Sequence, residues 1–344
     1  MPATPMLTAK LWRSPTQLRW LWKLLWKWQE FTFTPAMMVA PPVPVLDLQD
    51  FTQGTPAQRQ EFIQGMGQAL EHTGFFILVN HGIGTEILSR AYAQVHALFA
   101  LPLAQKQQYE KPELHGQRGY VSFGKEHAKD SPVPDLKEFW HIGRRDNLYP
   151  QALPEFAPLL TRLYHALDEC ALHLLQAASL YLDAPADFLP GLVEGGDTIL
   201  RLIHYPPVPA DVPPGAVRAA PHEDINLITL LCGATAAGLE LLQRDGTWLP
   251  VPVLPEGIVV DSGDMLQWLT NGLFRSTTHR VVNPMGANES RYSMPFFVHP
   301  RPEVALTPLP TCIARTGGMA RFGSITAAHY LHQRLQEIGV APPV

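Results

Sequence analysis

The chain has 344 residues, 46% apolar and 17% charged, which is enough to bury a substantial core and too apolar for a disordered tail. Its formal charge of -5 disfavours a nucleic-acid partner, whose phosphates call for a basic surface, so a small molecule is the expected partner. Three widely spaced cysteines, Cys170, Cys232 and Cys312, without a CxxC, give no sign of a disulfide framework or zinc knuckle and fit a reducing, cytoplasmic setting.

Residues 1–40 form a basic leader with five of the eight tryptophans. Arg19, Lys23 and Lys27 recur every four residues among Trp and Leu, the pattern of an interfacial membrane helix. Lysines interrupt the apolar run too soon for a spanning segment. The other reading is a mis-assigned start, because Met37 and Met38 directly precede the first orderly segment. That segment, Val43 to Leu48, is a predicted strand. Thr55-Pro56-Ala57-Gln58 then supplies a capping box with proline at the first helical position. Phe62, Ile63, Met66 and Leu70 give the helix one apolar face, Gly74 ends it, and Phe75 to Val79 is a second strand. Further helices are expected from about Glu86 to Leu101, through Leu159, Leu160, Leu163, Leu167, Cys170 and Leu174, and from Ile325 to Ile338.

Between Thr198 and Val298 the pattern changes to short runs rich in Ile, Val, Leu and aromatics, separated by turns such as Asp245-Gly246 and Asn271-Gly272. The expected fold is mainly β with peripheral helices, built on a jelly-roll core whose mouth can hold a ligand. One catalytic domain is expected over 41–344, with a helix-rich part at 41–197, the core at 198–300 and a helical extension at 301–344. A monomer is the favoured state.

His222-Glu223-Asp224 leads into a predicted strand from Ile225 to Leu231, where alternation puts His222 and Asp224 on one face and Glu223 on the other. His279 can supply a third ligand. Two imidazoles and a carboxylate are the donor set of the facial triad that holds non-haem Fe(II) and leaves positions open. Arg291 and Ser293 are again i and i+2 on an apolar strand, and a guanidinium fork beside a hydroxyl suits a carboxylate. Arg201, Ile203 and Tyr205 share a face of the strand Thr198 to Tyr205, adding a second cation and a phenol if that face is inward.

These residues resemble the isopenicillin N synthase-like iron(II)/2-oxoglutarate-dependent dioxygenases. The resemblance runs from Val43 to about Leu335. It includes Val43-Pro44-Val45-Leu46-Asp47-Leu48, Gly74-Phe75-Phe76, Asn80-His81-Gly82-Ile83, His222-x-Asp224 with Thr229-Leu230-Leu231, Gly263-Asp264, Asn271-Gly272, His279-Arg280-Val281 and Arg291-Tyr292-Ser293. It implies that His222, Asp224 and His279 bind Fe(II), that Arg291 and Ser293 hold the distal carboxylate of 2-oxoglutarate, and that Tyr205 helps bind the same co-substrate. It also implies a double-stranded β-helix and an oxygenase that uses O2 and decarboxylates 2-oxoglutarate while oxidising a small molecule, with hydroxylation the expected outcome. One departure is Ile203, where many relatives carry Asn two positions before the Tyr-Pro pair. The rival readings are an oxidase of this fold without 2-oxoglutarate and a non-catalytic ligand-binding relative.

The stretch His115 to His141 holds Arg118, Tyr120, Lys125, Lys129, Lys137 and Trp140 among Glu126, Asp130, Asp135 and Glu138. Its cations could form a lid for an acidic or amino-acid-like substrate, but the favoured reading is a solvated loop with balanced charge; Phe296 with Phe297 could wall an apolar pocket, but reads as strand packing.

Overall fold

Thr55 and Gln58 start the first long helix as a capping box requires: the Thr55 hydroxyl accepts the Gln58 amide at 3.4 Å, and Gln58 Oε1 accepts the Thr55 amide at 3.0 Å. The helix, Pro56–His72, buries Phe62, Ile63, Met66 and Leu70. It stops because Gly74 turns to φ +73°, where a Cβ would meet the Arg275 carbonyl at 2.4 Å and Thr277 Oγ1 at 2.6 Å. Only glycine fits there. Strand Phe75–Val79 follows.

The computed structural model describes residues 43–128, 133–254 and 256–338. The leader at 1–40, with its expected helix, and Lys129 and Asp130 lie outside the described residues. The strands are β1 (Val45–Asp47), β2 (Phe75–Val79), β3 (Gly119–Val121), β4 (Glu138–Gly143), β5 (Ile199–Tyr205), β6 (Ala219–His222), β7 (Ile228–Cys232), β8 (Leu239–Leu242), β9 (Trp248–Pro250), β10 (Ile258–Ser262), β11 (His279–Val281) and β12 (Arg291–Val298). They form an eight-stranded sheet in the order β1-β2-β10-β7-β12-β5-β4-β3 and a four-stranded sheet in the order β6-β11-β8-β9. Every pairing is antiparallel except β1 with β2. This is the expected jelly-roll core with peripheral helices. Strands β1 to β4, from the first half of the chain, extend the larger sheet at both of its edges.

Period-two alternation on β12 divides its side chains between two environments. Tyr292, Met294, Phe296 and Val298 join the large apolar cluster with Leu160, Leu163 and Leu167 of helix Phe156–Tyr181. Arg291 and Ser293 take the other parity, opposite Tyr205 and Ile203 of β5. Ile203 and Tyr205 pack with Val121, Phe139, Ala219 and Val281. Phe75, Ile77, Leu239, Leu241, Val251 and Val259 form a further apolar cluster that links the two sheets. Phe296 is fully buried and meets the Tyr164 ring edge-on at 5.0 Å, so Phe296→Ala should lower unfolding stability by about 3–5 kcal/mol in a denaturant melt. A loss below about 1 kcal/mol would contradict this packing.

The expected strand from Ile225 begins later, at Ile228. Residues 223–227 instead turn over the start of helix Asp264–Leu269. There the carbonyls of Asp224, Asn226 and Leu227 accept the amides of Asp264, Met265 and Gly263 at 2.8, 3.0 and 2.9 Å. Those carbonyls are therefore unavailable to a strand ladder. Gly263 permits the contact, since a Cβ would lie 2.2 Å from Asn226 Oδ1 and 2.5 Å from its carbonyl oxygen.

Candidate active site

His222 ends β6 and His279 begins β11, and the two are register partners with ring centroids 4.4 Å apart. Strand alternation does not bring Asp224 to them; the turn after β6 does. Asp224 Oδ1 lies 3.8 Å from His222 Nε2 and 3.7 Å from His279 Nε2. One ligand atom from each of the three residues falls within 4.8 Å of the others. Glu223 points elsewhere, accepting the Thr278 hydroxyl and lying 4.0 Å from Arg334.

The surroundings leave the correct atoms free for a metal. His222 Nδ1 is 2.7 Å from the Ala220 carbonyl and His279 Nδ1 is 3.1 Å from the Thr277 carbonyl. A carbonyl can only accept, so each Nδ1 carries the proton and each Nε2 keeps its lone pair. Burial and then the neighbouring His279 hold the His222 imidazole well below its ordinary pKa, so it is neutral at pH 7. Asp224 Oδ2 accepts the Thr229 hydroxyl, which itself accepts Asn226 Nδ2 at 2.9 Å. That arrangement leaves Oδ1 for the ion. Asp261, opposite Thr229 on β10, is raised well above the usual carboxylate pKa by burial and then by Asp224. Two imidazoles and one carboxylate suit a divalent ion of intermediate hardness. Thr229→Val should weaken metal affinity by about 10–100-fold, read by equilibrium dialysis, because it frees the carboxylate to rotate. An unchanged affinity would remove Thr229 from that role.

Arg291 and Ser293 are buried as the strand pattern predicts, at 1% and 2% exposure. Arg291 is no surface ion pair. Its Nε donates to the Ala236 carbonyl at 3.1 Å, its Nη1 has no partner, and its guanidinium lies 5.0 Å from the Tyr205 ring centroid. Tyr205 is itself buried beside it. The third residue expected on that face, Arg201, is not a spare cation. It donates to Glu126 at 3.1 Å and to His141 Nε2 at 2.6 Å, over the rings of Phe139 and Phe297.

Arg201 belongs to a buried network where a solvated loop was expected. Lys137 lies 2.7 Å from Glu126 and 2.8 Å from Asp135, and all three are less than 9% exposed. Asp135 also accepts the Ala220 amide at 2.9 Å, and the Leu136 amide donates to the Val217 carbonyl, so this strap lies along the approach to β6. The correction has a simple cause: the acids and cations pair with one another, which lets both enter the interior. Burial alone would raise the Glu126 carboxyl, but Arg201 and Lys137 outweigh it and hold it far below the usual range. A depressed folded pKa contributes stability above the unfolded value, about 4.3, and loses it as the pH falls. Glu126→Gln should therefore melt below the parent at pH 7, with the gap narrowing towards pH 3. A gap that widened in acid would contradict this.

The sequence reading missed two features of this end of the barrel. The ion-paired strap is a matter of tertiary pairing and leaves no periodic trace. Arg218 is different: it is the lone cation in Arg218-Ala219-Ala220-Pro221-His222, and the same signal singled out Arg291.

Two family models match the chain. Residues 43–158 match the N-terminal region of the non-haem dioxygenases of morphine synthesis, and residues 196–300 match the 2OG-Fe(II) oxygenase superfamily. A 2-oxoglutarate-Fe(II) type oxidoreductase, hxnY of Emericella nidulans, is 31% identical over 304 residues, covering 82% of this chain and 86% of the relative. The proline hydroxylase buaE of Petromyces alliaceus is 32% identical, covering 84% and 97%. Among solved structures, a full-length Neurospora crassa protein in complex with alpha-KG and thymine superposes with a TM-score of 0.79 at 27% identity, covering 88% of this chain and 98% of that one. A 2OG-Fe(II) oxygenase family protein from Caulobacter crescentus gives a TM-score of 0.76 at 37% identity, covering 86% and 98%.

Proposed function

The chain belongs to the 2OG-Fe(II) oxygenase superfamily, and from that premise we propose that His222, Asp224 and His279 hold the iron while Arg291, Ser293 and Tyr205 hold 2-oxoglutarate. The enzyme couples decarboxylation of 2-oxoglutarate to oxidation of a small molecule, using Fe(II) and O2. The observation that carries the site assignment is the convergence of three ligand atoms within 4.8 Å, with each Nδ1 already committed to a backbone carbonyl. In the reaction proposed, one oxygen atom goes to succinate and the other to a C–H bond, so that RH, O2 and 2-oxoglutarate give ROH, CO2 and succinate.

Iron, when bound, would activate O2, the oxidant, with 2-oxoglutarate giving up two electrons as it loses CO2; the protein supplies position and dryness. The Ala220 and Thr277 carbonyls fix the imidazole planes, and Thr229 fixes the carboxylate. Arg291 offers a buried cation to the far end of a dicarboxylate. Ile77, Leu231, Leu239, Val251 and Val259 line a cavity that Arg291 also borders, an apolar surround that keeps water from that charge.

A small polar substrate, about the size of an amino acid or a nucleobase, is the reading best supported for the second reactant. The names of the proline hydroxylase and the thymine complex support it. A panel of amino acids and nucleobases, screened by succinate release, tests it. Release that rises with one member supports both co-substrate use and substrate class. A panel that leaves succinate at background while an apolar panel raises it would overturn the polar assignment.

Among the described residues no helix is long and apolar enough to cross a membrane.

A further inference from the structure

Arg218 is buried like Arg291, and among the described residues it likewise has no acid to answer its charge. It immediately precedes β6, four residues before His222, and is 2% exposed. Its Nη2 donates to the carbonyl of Glu289, two residues before Arg291, and its Nε finds no partner. Among the described residues, no carboxylate pairs with either guanidinium. Burial and then the positive charge of Arg291 push the Arg218 pKa down, with Tyr205 acting in the opposite sense. The three side chains therefore share one end of the barrel, where β5 ends with Tyr205, β12 begins with Arg291 and β6 is about to begin.

Two buried guanidiniums that repel each other are costly unless an anion joins them. Arginine does not shed its proton to escape that cost. A carboxylate offers about four lone-pair sites, more than Arg291 Nη1 and one serine hydroxyl fill. Ile203, across from Ser293, is apolar and supplies no donor. Arg218 is the further buried cation at this end that could fill the remaining sites.

We propose that Arg218 is a second guanidinium for the distal carboxylate of 2-oxoglutarate, closing on it together with Arg291. The assignment rests on the reading of Arg291 and Ser293 as the co-substrate grip. It makes Arg218 a binding residue specific for a dicarboxylic 2-oxo acid.

The test is anaerobic calorimetry on metal-loaded protein with 2-oxoglutarate and with 2-oxopentanoate, which has the same chain length and lacks the distal carboxylate. Arg218→Met should weaken 2-oxoglutarate by about 30-fold or more and leave 2-oxopentanoate within about twofold, so that the preference between them collapses. Retained 2-oxopentanoate binding also shows that the variant is folded. Arg218→Lys, which keeps the charge and loses the fork, should fall between parent and Met, and it carries the test if the Met variant does not fold. An equal loss for both ligands, or undiminished 2-oxoglutarate binding, would overturn the proposal. Arg291→Met separates the two levels. If it abolishes the preference while the Arg218 variants keep it, only the second guanidinium is wrong; if it too keeps the preference, the co-substrate grip itself is misplaced.

Discussion

Asp224→Ala is expected to abolish one-to-one Fe(II) uptake and, with it, all substrate-dependent succinate release. The carboxylate is the one acidic donor of the three, and without it two imidazoles remain, their ring centroids 4.4 Å apart. The loss should exceed the roughly 10–100-fold expected when only a supporting partner such as Thr229 is removed. Stability of the metal-free protein should change little. Thr229 loses an acceptor, but the protein is also relieved of the cost of burying the Asp224 carboxylate without a metal. Equilibrium dialysis beside a thermal melt checks both parts, and near-parental iron affinity in the variant would contradict the assignment.

Arg291→Met should lower 2-oxoglutarate affinity by about 30-fold to several thousand-fold, the range for truncating one member of a buried charge pair. Iron uptake should be unchanged. The sign of the stability effect is more telling than its size. In the ligand-free protein Arg291 is a buried cation with an unpartnered Nη1, so replacing it with an apolar side chain of similar length should raise the melting temperature. Added 2-oxoglutarate should raise the parent's melting temperature further and do much less for the variant. A variant destabilised without ligand, yet stabilised normally by 2-oxoglutarate, would mean that Arg291 serves the scaffold alone.

Much of the fold was legible because local rules and tertiary packing agree. Thr55 and Gln58 cap the helix they were expected to cap, and its four apolar residues are buried. On β12 the alternation that hides Phe296 also turns Arg291 and Ser293 the other way. The three candidate ligands were legible as a chemical set, while the geometry that brings them together was misread. His222 and Asp224 meet through a turn held down by Gly263 and Asp264, and a period-two pattern cannot express a contact made forty residues along the chain. The strap from Glu126 to Lys137 was misread for a related reason. Charge in a sequence signals solvent only when it is unpaired, and here the pairing with Arg201 spans 75 residues. Arg218 was overlooked although its isolation in an apolar run is as plain as that of Arg291; its significance shows once the two are seen at the same end of the barrel.

The central claim is that His222, Asp224 and His279 share one metal ion. Crystals soaked anaerobically in Fe(II), with anomalous maps collected at the iron edge, test it most directly. A single peak about 2.0–2.2 Å from His222 Nε2, Asp224 Oδ1 and His279 Nε2 is the predicted result. A peak that lacked any one of these atoms, or that lay at a different cluster, would contradict it.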